Sequence, residues 1–440
     1  MRNWFLIMIS LFFFQKNSFA QQNLINNDST YQYWVDQAFD ALLEKKYTVC
    51  VECYDKAELF KPIGGIAKHD VLAKYFEGLC HDFNLKKKEA QDNLIQAIQL
   101  DWEITQSLLD VRKGDYINLK KKKRYWKKVN KEFKIQQKDI DKNLRAEILL
   151  LDKEYNDLRF EEDKFSPEGL KEALAREKKF AKNLEVIINE KGIPTINNVG
   201  RQVSNRFLYF LNEITSLKEK ENYFPMVKKA FENKEIGLRY YVKMIDKIEV
   251  EKGRPQIYGT QYEYDQKMGK SVFDQVVDGA NVNKRRAHIG LSTIEYYAEQ
   301  FGIEYKYERQ RLTKTDFKKF TGGWELVNIR DAKTFEITFL PEQELWVEFL
   351  TKGKLRFNRT ANICEMRYKA TDRGRLIFAP TIDCTKKCCD DEIINKALSY
   401  HDVHKFELYN KLLFLIDTRG RIWEFKRKKY KKQRLRNREN

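Results

Sequence analysis

The periodicity of apolar positions changes along the chain from a helical period to a strand period. Over residues 31–247 apolar side chains recur at spacings of three and four, which predicts a series of amphipathic helices. From Gly322 onward they alternate with polar side chains in short runs, separated by turn signals such as TDRG at 371–374. We therefore expect a multidomain α+β protein, with helical N-terminal and central parts and a small antiparallel β barrel at the C-terminus.

The predicted C-terminal strands are short, and one helix interrupts them. The strands are WELVNI, FEITFL, ELWVEFL, KLRFN, MRYKA, RLIFAP, FELYN, LLFLID and RIWEFK, and the helix is DDEIINKALSY at 390–400. So many short strands in the last quarter of the chain favour a closed barrel or a sandwich. Residues 306–320, before the first strand, are expected to be a linker.

Residues 31–118 resemble tetratricopeptide repeats, which are pairs of antiparallel helices. The positions that carry the resemblance are Trp34, Ala38, Tyr47, Cys50, Tyr54, Ala57 and Pro62 in the first unit, and Gly78, Ala90, Leu94 and Ala97 in the next. The small residues let two helices approach, and the aromatic residues fill the space between repeats. The resemblance implies a concave surface that binds a protein partner. The alternative is a packed helical scaffold without a partner.

The first twenty residues have the organisation of a secretory signal peptide. Arg2 precedes an apolar run from Trp4 to Phe14, and small residues lie before a cleavage position after Ala20. A membrane anchor is the alternative, but the run is too short to span a bilayer. We therefore expect an exported protein, periplasmic or secreted, without a transmembrane segment after cleavage.

The positive charge of the chain is confined to a few segments. The chain has 83 Lys and Arg against 65 Asp and Glu, a net charge of +18. Residues 120–131 contain eight of these cations and no acid, and residues 426–440 form a second basic run. Export argues against specific nucleic-acid binding, so the alternatives are a solvated helix face or contact with an envelope polyanion.

The chain contains only 19 Gly and 7 Pro. This low content argues against collagen-like chains and against all-β chains with many turns.

The most distinctive polar stretch is GRPQIYGTQ at 253–261, followed by an arginine pair. Its side chains can donate and accept hydrogen bonds, and the arginines could hold a carboxylate or phosphate. The candidate ligand-binding residues are Arg159, Gln256, Tyr258, Thr260, Gln261, Arg285 and Arg286. They could form a pocket for an anionic small ligand. The alternative is a buried hydrogen-bond network that fixes the turn and the packing of the helices.

This stretch resembles a bacterial family of uncharacterised function, in which G-K/R-P-Q-x-Y-G-T-Q is followed by R-R-x-x-x-G-L. The resemblance covers roughly residues 140–305. The chain departs from the family at two places: Tyr155-Asn156 replaces Asp-Gln, and Asn212-Glu213 replaces Gln-His. The resemblance therefore does not imply a histidine-based reaction in this chain.

The C-terminal part resembles the META family of small exported β domains. The resemblance is carried by WEL at 324–326, NIC at 362–364, LIF at 376–378 and TKKC at 385–388. A generic lipocalin-like domain is the alternative. The family transfers no catalytic residue to this chain.

Seven cysteines in an exported chain predict disulfides, with an odd thiol left over. Cys364 is expected to pair with Cys384, Cys388 or Cys389, and metal binding by the last three is the alternative. The spacing of Cys50 and Cys53 is also found in redox and zinc half-sites, but a core role within a repeat helix is the interpretation we favour. No phosphate loop, serine nucleophile motif or zinc-protease motif is present, so we expect no cofactor and no resident metal.

These observations define five segments and two candidate functions. The predicted segments are 1–20 for the signal peptide, 31–118 for the helical repeats, 136–305 for a mainly helical central domain, 320–426 for the META-like domain and 427–440 for a basic tail. The first function is an exported interaction or envelope scaffold that uses the repeats. The second is a small-ligand binder or enzyme with an anionic-ligand pocket around YGTQ.

Overall fold

The computed structural model describes residues 31–60, 67–160, 167–266, 269–303, 305, 307, 311–359, 362–385 and 399–428. The chain divides into two compact units, residues 1–136 (unit 1) and 137–440 (unit 2). The predicted signal peptide, Cys388, Cys389 and residues 429–440 of the basic tail lie outside the described residues. The predicted fold class is confirmed, since helices form the N-terminal and central parts and an antiparallel barrel forms the C-terminal part.

Unit 1 is built from helix hairpins. Its helices are α1 (Tyr31–Leu43), α2 (Tyr47–Leu59), α3 (Ala67–Phe83), α4 (Lys87–Val111), α5 (Ile117–Lys120) and α6 (Lys123–Gln136). The first two hairpins turn in the same way, because Lys45 and Leu85 both adopt a positive φ, of 62° and 61°. The two hairpins therefore repeat one geometry, and their tetratricopeptide identity stays a prediction.

The core of unit 1 contains a disulfide that the sequence did not reveal. Cys50 on α2 is fully buried and is bonded to Cys80 on α3, 30 residues away. The expectation that Cys50 is a core residue is correct for its burial, but its sulfur is cross-linked. Cys53 is the neighbouring buried free thiol. Ala38, Ala90 and Ala97 are fully buried in the same core cluster, where their small side chains allow the helices to approach.

The helical part of unit 2 follows the predicted apolar period. Its helices are α7 (Lys142–Phe160), α8 (Pro167–Lys191), α9 (Ile196–Val199), α10 (Arg201–Ile214), α11 (Leu217–Glu232) and α12 (Leu238–Glu251). Helix α8 ends before Gly192, whose φ of +75° suits a residue without a side chain. Ser216 begins α11 with a capping box to Glu219. Phe207, Phe210 and Leu211 of α10 are fully buried at the centre of this helical core.

A hairpin and short helices connect the helical part to the barrel. They are β1 (Tyr262–Asp265), β2 (Lys270–Phe273), a 3-10 turn (Gly279–Asn281), α13 (Val282–His288), α14 (Ile294–Glu299) and α15 (Lys314–Phe320). The expectation of a linker over 306–320 is wrong for its second half, because Thr313 and Asp316 form a capping box that begins α15. The β1–β2 hairpin was not expected within a mainly helical segment.

The C-terminal strands form one antiparallel sheet that is nearly closed into a barrel. They are β3 (Gly322–Asp331), β4 (Ile337–Phe339), β5 (Trp346–Leu350), β6 (Lys354–Arg359), β7 (Asn362–Ala370), β8 (Leu376–Phe378), β9 (Asp383–Cys384), β10 (Val403–Tyr409), β11 (Leu412–Asp417) and β12 (Arg421–Arg427). Their order is β10-β11-β12-β3-β5-β6-β7-β8, with β4 on β3 and β9 on β7. An antiparallel bridge between Arg375 and Lys405 connects the two ends.

The barrel interior is aromatic and is cross-linked at one edge. Trp324 and Trp423 are almost completely buried among the inward-facing side chains. Cys364 on β7 is bonded to Cys384 on β9, which confirms one of the predicted pairings. In the part of the chain that the structure describes, no helix has the length and apolar character needed to cross a membrane.

The helical part and the barrel of unit 2 share a core. Its buried members from the helical part include Val242, Ile257 and Val277, and those from the barrel include Phe335, Phe414, Ile416 and Ile422. Residues 253–261, which we call the strip loop, therefore lie where the two parts of unit 2 meet.

Candidate functional site

The strip loop is organised around one buried carboxylate. Asp246, which is fully buried on α12, accepts the N–H groups of Ile257 and Tyr258 through Oδ1, at 2.7 and 2.9 Å. Its Oδ2 accepts the N–H and the hydroxyl of Thr260, at 3.0 and 2.8 Å. Burial raises the pKa of Asp246, while these hydrogen bonds act in the opposite direction. The carboxylate thus sets the path of the loop.

Gln256 connects the strip loop to the segment 274–277. Its Oε1 accepts the N–H groups of Thr260 and Gln261, both at 2.8 Å. Its Nε2 donates to the carbonyls of Gln261 at 3.0 Å and Asp274 at 2.7 Å. An amide side chain has two donor hydrogens and two acceptor lone pairs, so this fully buried amide has all of them in use.

Arg285 places its guanidinium inside the protein against main-chain carbonyls. The side chain is fully buried and donates to the carbonyls of Ile257 at 3.1 Å, of Val277, and of Asp278 at 3.4 Å. The carboxylate of Asp278 is 3.9 Å away. Burial lowers the pKa of Arg285, and the charge of Asp278 counteracts this. Arg285 therefore ties the strip loop to the start of the 3-10 turn.

Arg286 closes the other side of the same loop. Its guanidinium donates to the carbonyls of Tyr258 at 2.7 Å and Ser292 at 2.6 Å. The ring of Tyr297 lies 5.1 Å from the guanidinium carbon, within cation–π range. Burial lowers the pKa of Arg286 to about 10. Both arginines of the pair thus hold main-chain atoms in place.

Gly259 is required by both conformation and space. Its φ is +71°, and a Cβ at this position would lie 2.1 Å from Cδ1 of the fully buried Ile294. A larger residue would therefore strain the backbone and displace a core side chain.

The strip loop is also fixed to the barrel. Arg254 lies 2.7 Å from the carboxylate of Glu424, which is almost completely buried on β12. Asn410, at the turn between β10 and β11, donates to the carbonyl of Gly253 at 2.9 Å. These contacts hold the loop against two parts of the barrel.

The structure brings most of the predicted ligand-binding residues together around the strip loop. Gln256, Thr260, Arg285 and Arg286 are buried with their polar atoms bonded inside the protein, and Gln261 donates to the carbonyl of Lys243 at 3.2 Å. Tyr258 is buried too, which raises its pKa to about 12. Arg159 lies in the last turn of α7, and its side chain is outside the described residues. This geometry matches the hydrogen-bond network that was the alternative to a pocket, and direct ligand contact by these residues stays a prediction.

A cavity of about 340 Å³ opens beside the segment that this network holds. One wall is the end of the β1–β2 hairpin and the segment after it, and the opposite wall is β10 with the turn before β8. The lining residues are Phe273, Asp274, Gln275, Val276, Tyr305, Tyr307, Leu312, Arg373, Gly374, Lys405, Phe406, Glu407 and Leu408. The cavity therefore combines aromatic rings with charges of both signs.

A buried ionic cluster includes Lys405 and Glu407, which line the cavity. The ammonium of Lys405 is 2.6 Å from the Glu407 carboxylate and 3.5 Å from the Asp278 carboxylate, and it donates to the Tyr307 hydroxyl at 3.1 Å. Burial disfavours the charged form of Lys405, but the two carboxylates outweigh it and raise the pKa. Asp278 also approaches Arg285, so the cluster connects the cavity to the strip network.

Aromatic rings extend from the cavity across the β1–β2 hairpin. The Phe273 ring lies 5.6 Å from that of Tyr305 inside the cavity and 5.8 Å from that of Tyr262 on the neighbouring strand. Tyr262 and Tyr264 occupy one face of β1, with exposed fractions of 37% and 63%. The aromatic surface thus continues from the cavity to solvent.

Sequence reasoning missed the residues that organise this site. Asp246 could have been recognised from the sequence as an acid on the buried face of a helix. It lies four residues after buried Val242 on α12, at a position where an apolar side chain is expected. Lys405, Glu407 and Asp278 carried no such signal, since their proximity depends on the fold. Within the described ranges, no group of three or more His, Cys, Asp or Glu side chains is placed to hold a metal ion.

Comparison with known protein families finds a match for one region of the chain. Residues 167–308 match the model of a family of unknown function, DUF6624, and this range contains the strip loop and both arginines. The resemblance of the central region to a family of unknown function is confirmed to this extent, and the tetratricopeptide and META resemblances stay predictions. None of the curated proteins matches the chain. Among solved structures, the chain is similar to a DUF4847 family protein from Bacteroides vulgatus, with 12% identity over 25% of this chain and 95% of that chain and a TM-score of 0.21.

Proposed function

We propose that unit 2 is a ligand-binding module whose ligand occupies the cavity between the β1–β2 hairpin and β10. The observation that supports this is the meeting of aromatic rings and charged side chains of both signs in one concave space. Its volume of about 340 Å³ is within the usual range of small-molecule sites. The buried network of the strip loop would act as a rigid support for one wall of the site.

The chemistry of the walls favours a ring with several hydroxyl groups, such as a sugar unit. A hydroxyl both donates and accepts, so it can bond to a carboxylate such as Asp274 and to a cation such as Arg373. The flat faces of Phe273 and Tyr305 offer apolar contact to the C–H face of such a ring. The lining charges are two acids and two bases, so a neutral ligand suits the site better than a multiply charged one.

Two further observations are consistent with action outside the cytoplasm. Two disulfides, Cys50–Cys80 and Cys364–Cys384, are typical of proteins from oxidising compartments. The sequence of residues 1–20 predicts a signal peptide. We therefore propose an exported sugar-binding protein, in which the helical repeats of unit 1 stay a predicted surface for a protein partner.

Ligand-observed NMR with the full-length protein tests this proposal. The panel contains neutral mono- and disaccharides, with free amino acids as the competing chemistry. We expect saturation transfer to at least one sugar. Arg373→Ala should weaken that binding by about ten-fold or more, because a hydrogen bond to a charged group contributes about 1.5–3 kcal/mol.

Arg375→Ala is the matched control, because Arg375 is exposed in the same turn but does not line the cavity. It should bind the sugar with unchanged affinity. Phe273→Ala should also weaken binding, through loss of the aromatic wall. Binding of amino acids alone, or equal affinity of Arg373→Ala and the wild type, would contradict the proposal.

A further inference from the structure

The outer face of α6 carries a continuous row of cations. Arg124, Lys127, Lys131 and Lys134 follow one another at spacings of three and four residues, which places them on one side of a helix, and all four are exposed. With a rise of 1.5 Å per residue, the row is about 15 Å long. Exposed Lys121, Lys122 and Lys123 extend it at the start of the helix.

The opposite face of α6 is fixed in the core of unit 1. Val129 is fully buried, and Phe133 is 8% exposed. Gln91 of α4 donates to the carbonyl of Tyr125 at 2.6 Å. The helix is therefore held in place, and the cations are presented by a rigid element.

Little negative charge offsets this row within the segment. Glu132 is the only acid between residues 120 and 136. Its carboxylate accepts hydrogen bonds from Gln99 at 3.2 Å and Gln136 at 3.0 Å, on the side of α4. A row of like charges on a fixed helix attracts an anionic polymer and releases the counterions of both partners.

The packing of α6 distinguishes between kinds of polyanion. Insertion into a lipid surface requires a free apolar helix face, but that of α6 is buried. Single-stranded nucleic acid is held largely by stacking on aromatic rings. The rings of Tyr125 and Trp126 instead pack against the core, and the Lys120 ammonium lies 5.5 Å from the ring of Trp126. An acidic polysaccharide needs only the charges.

We propose that this row of cations is a docking surface for an acidic polysaccharide. The test uses the full chain and heparin as the probe, immobilised on a biosensor, over a range of salt concentrations. The row variant combines Arg124→Gln, Lys127→Gln, Lys131→Gln and Lys134→Gln. We expect it to bind heparin at least about ten-fold more weakly than the wild type at low salt, with a shallower dependence on salt.

The matched control removes the same charge from exposed lysines of unit 2, by Lys153→Gln, Lys333→Gln, Lys352→Gln and Lys369→Gln. It should keep heparin affinity within about two-fold, and circular dichroism should show both variants folded. Equal losses of heparin affinity in the two variants would show that binding depends on net charge alone. No loss of affinity in the row variant would show that heparin binds to another surface. Either result overturns the proposal. Tighter binding of duplex DNA or anionic vesicles than of heparin, lost in the row variant, would also overturn it, because the occupant would be different.

Discussion

Tyr258 donates its main-chain N–H to the carboxylate of Asp246 at 2.9 Å, across 12 residues of sequence. This bond is one of four that converge on the same carboxylate, and the donors belong to Ile257, Tyr258 and Thr260 of the strip loop. A helix and the loop that follows it are thereby held as one piece. The shape of the strip loop therefore depends on the side chain of Asp246, which lies outside the GRPQIYGTQ motif.

Asp246→Asn should destabilise unit 2 strongly. The amide keeps one acceptor oxygen, but its NH₂ group would face donors that now bond to the second carboxylate oxygen of Asp246. At least one buried donor therefore loses its partner. We expect the free energy of unfolding to fall by about 1–3 kcal/mol or more, measured by urea denaturation. Glu263→Gln on exposed β1 is the control and should change it by less than about 0.5 kcal/mol. An unchanged midpoint for Asp246→Asn would show that the carboxylate does not organise the loop.

Gly259→Ala should be destabilising through contact with Ile294. The new Cβ would meet Cδ1 of Ile294, and the φ of +71° adds strain. Ile294→Val removes that methyl group, so we expect the double variant to be more stable than the sum of the single effects by about 0.5–3 kcal/mol. Gly302→Ala is the control, because Gly302 has a similar φ of +67° but an added Cβ there would meet nothing within 4 Å. Its effect on stability therefore measures the backbone strain alone. Strict additivity of the two changes would rule out the contact.

Loss of the bond between Cys364 and Cys384 should lower the stability of the barrel. The bond closes a loop with a sequence separation of 20, for which a stabilisation of about 3 kcal/mol is expected. The double substitution to alanine should therefore lower the midpoint of unfolding, followed through the buried Trp324 and Trp423 by near-ultraviolet circular dichroism. A reductant should shift the wild-type midpoint by at least as much, because it also breaks the bond between Cys50 and Cys80. If the alanine variant matches the oxidised wild type, the bond contributes no stability.

The elements that sequence periodicity predicted best are those whose apolar faces are long. Helices α8 and α10 and most of the barrel strands combine a strong period with clear ends, such as Gly192 after α8. The β1–β2 hairpin was missed because each strand has only four residues. Helix α15 was missed although Thr313 and Asp316 carry the capping-box spacing, because its seven residues are too few to show a period.

The site was less predictable than the fold, for a physical reason. The strip motif was found because it is unusual, but its residues serve an internal network whose centre, Asp246, is a single acid in a helix. The cavity is assembled from Phe273, Arg373 and Lys405, which are separated by as many as 132 residues. Charges that meet only after folding leave no spacing in the sequence to detect.

Lys405→Met should show how much the buried ionic cluster contributes to stability, through the pH dependence of the free energy of unfolding. Removing the ammonium leaves the Glu407 carboxylate without its cation and leaves Asp278 with Arg285 alone. At pH 8 we therefore expect the free energy of unfolding to fall by about 3 kcal/mol or more. The pKa of Lys405 is raised in the folded protein. Its contribution is therefore fully present below the unfolded value of about 10.4, and it is lost as the pH rises above that value through the folded pKa.

The difference between wild type and Lys405→Met should accordingly stay unchanged from pH 8 to about 10 and shrink as the pH rises from about 10.4 to about 12, measured by urea denaturation at each pH. The control Lys369→Met removes an exposed lysine from β7 and should show a small difference that does not depend on pH. A difference for Lys405→Met that stays constant across the same range would mean that the effect is loss of packing by the side chain. In that case the ammonium of Lys405 would not stabilise the ionic cluster beside the cavity.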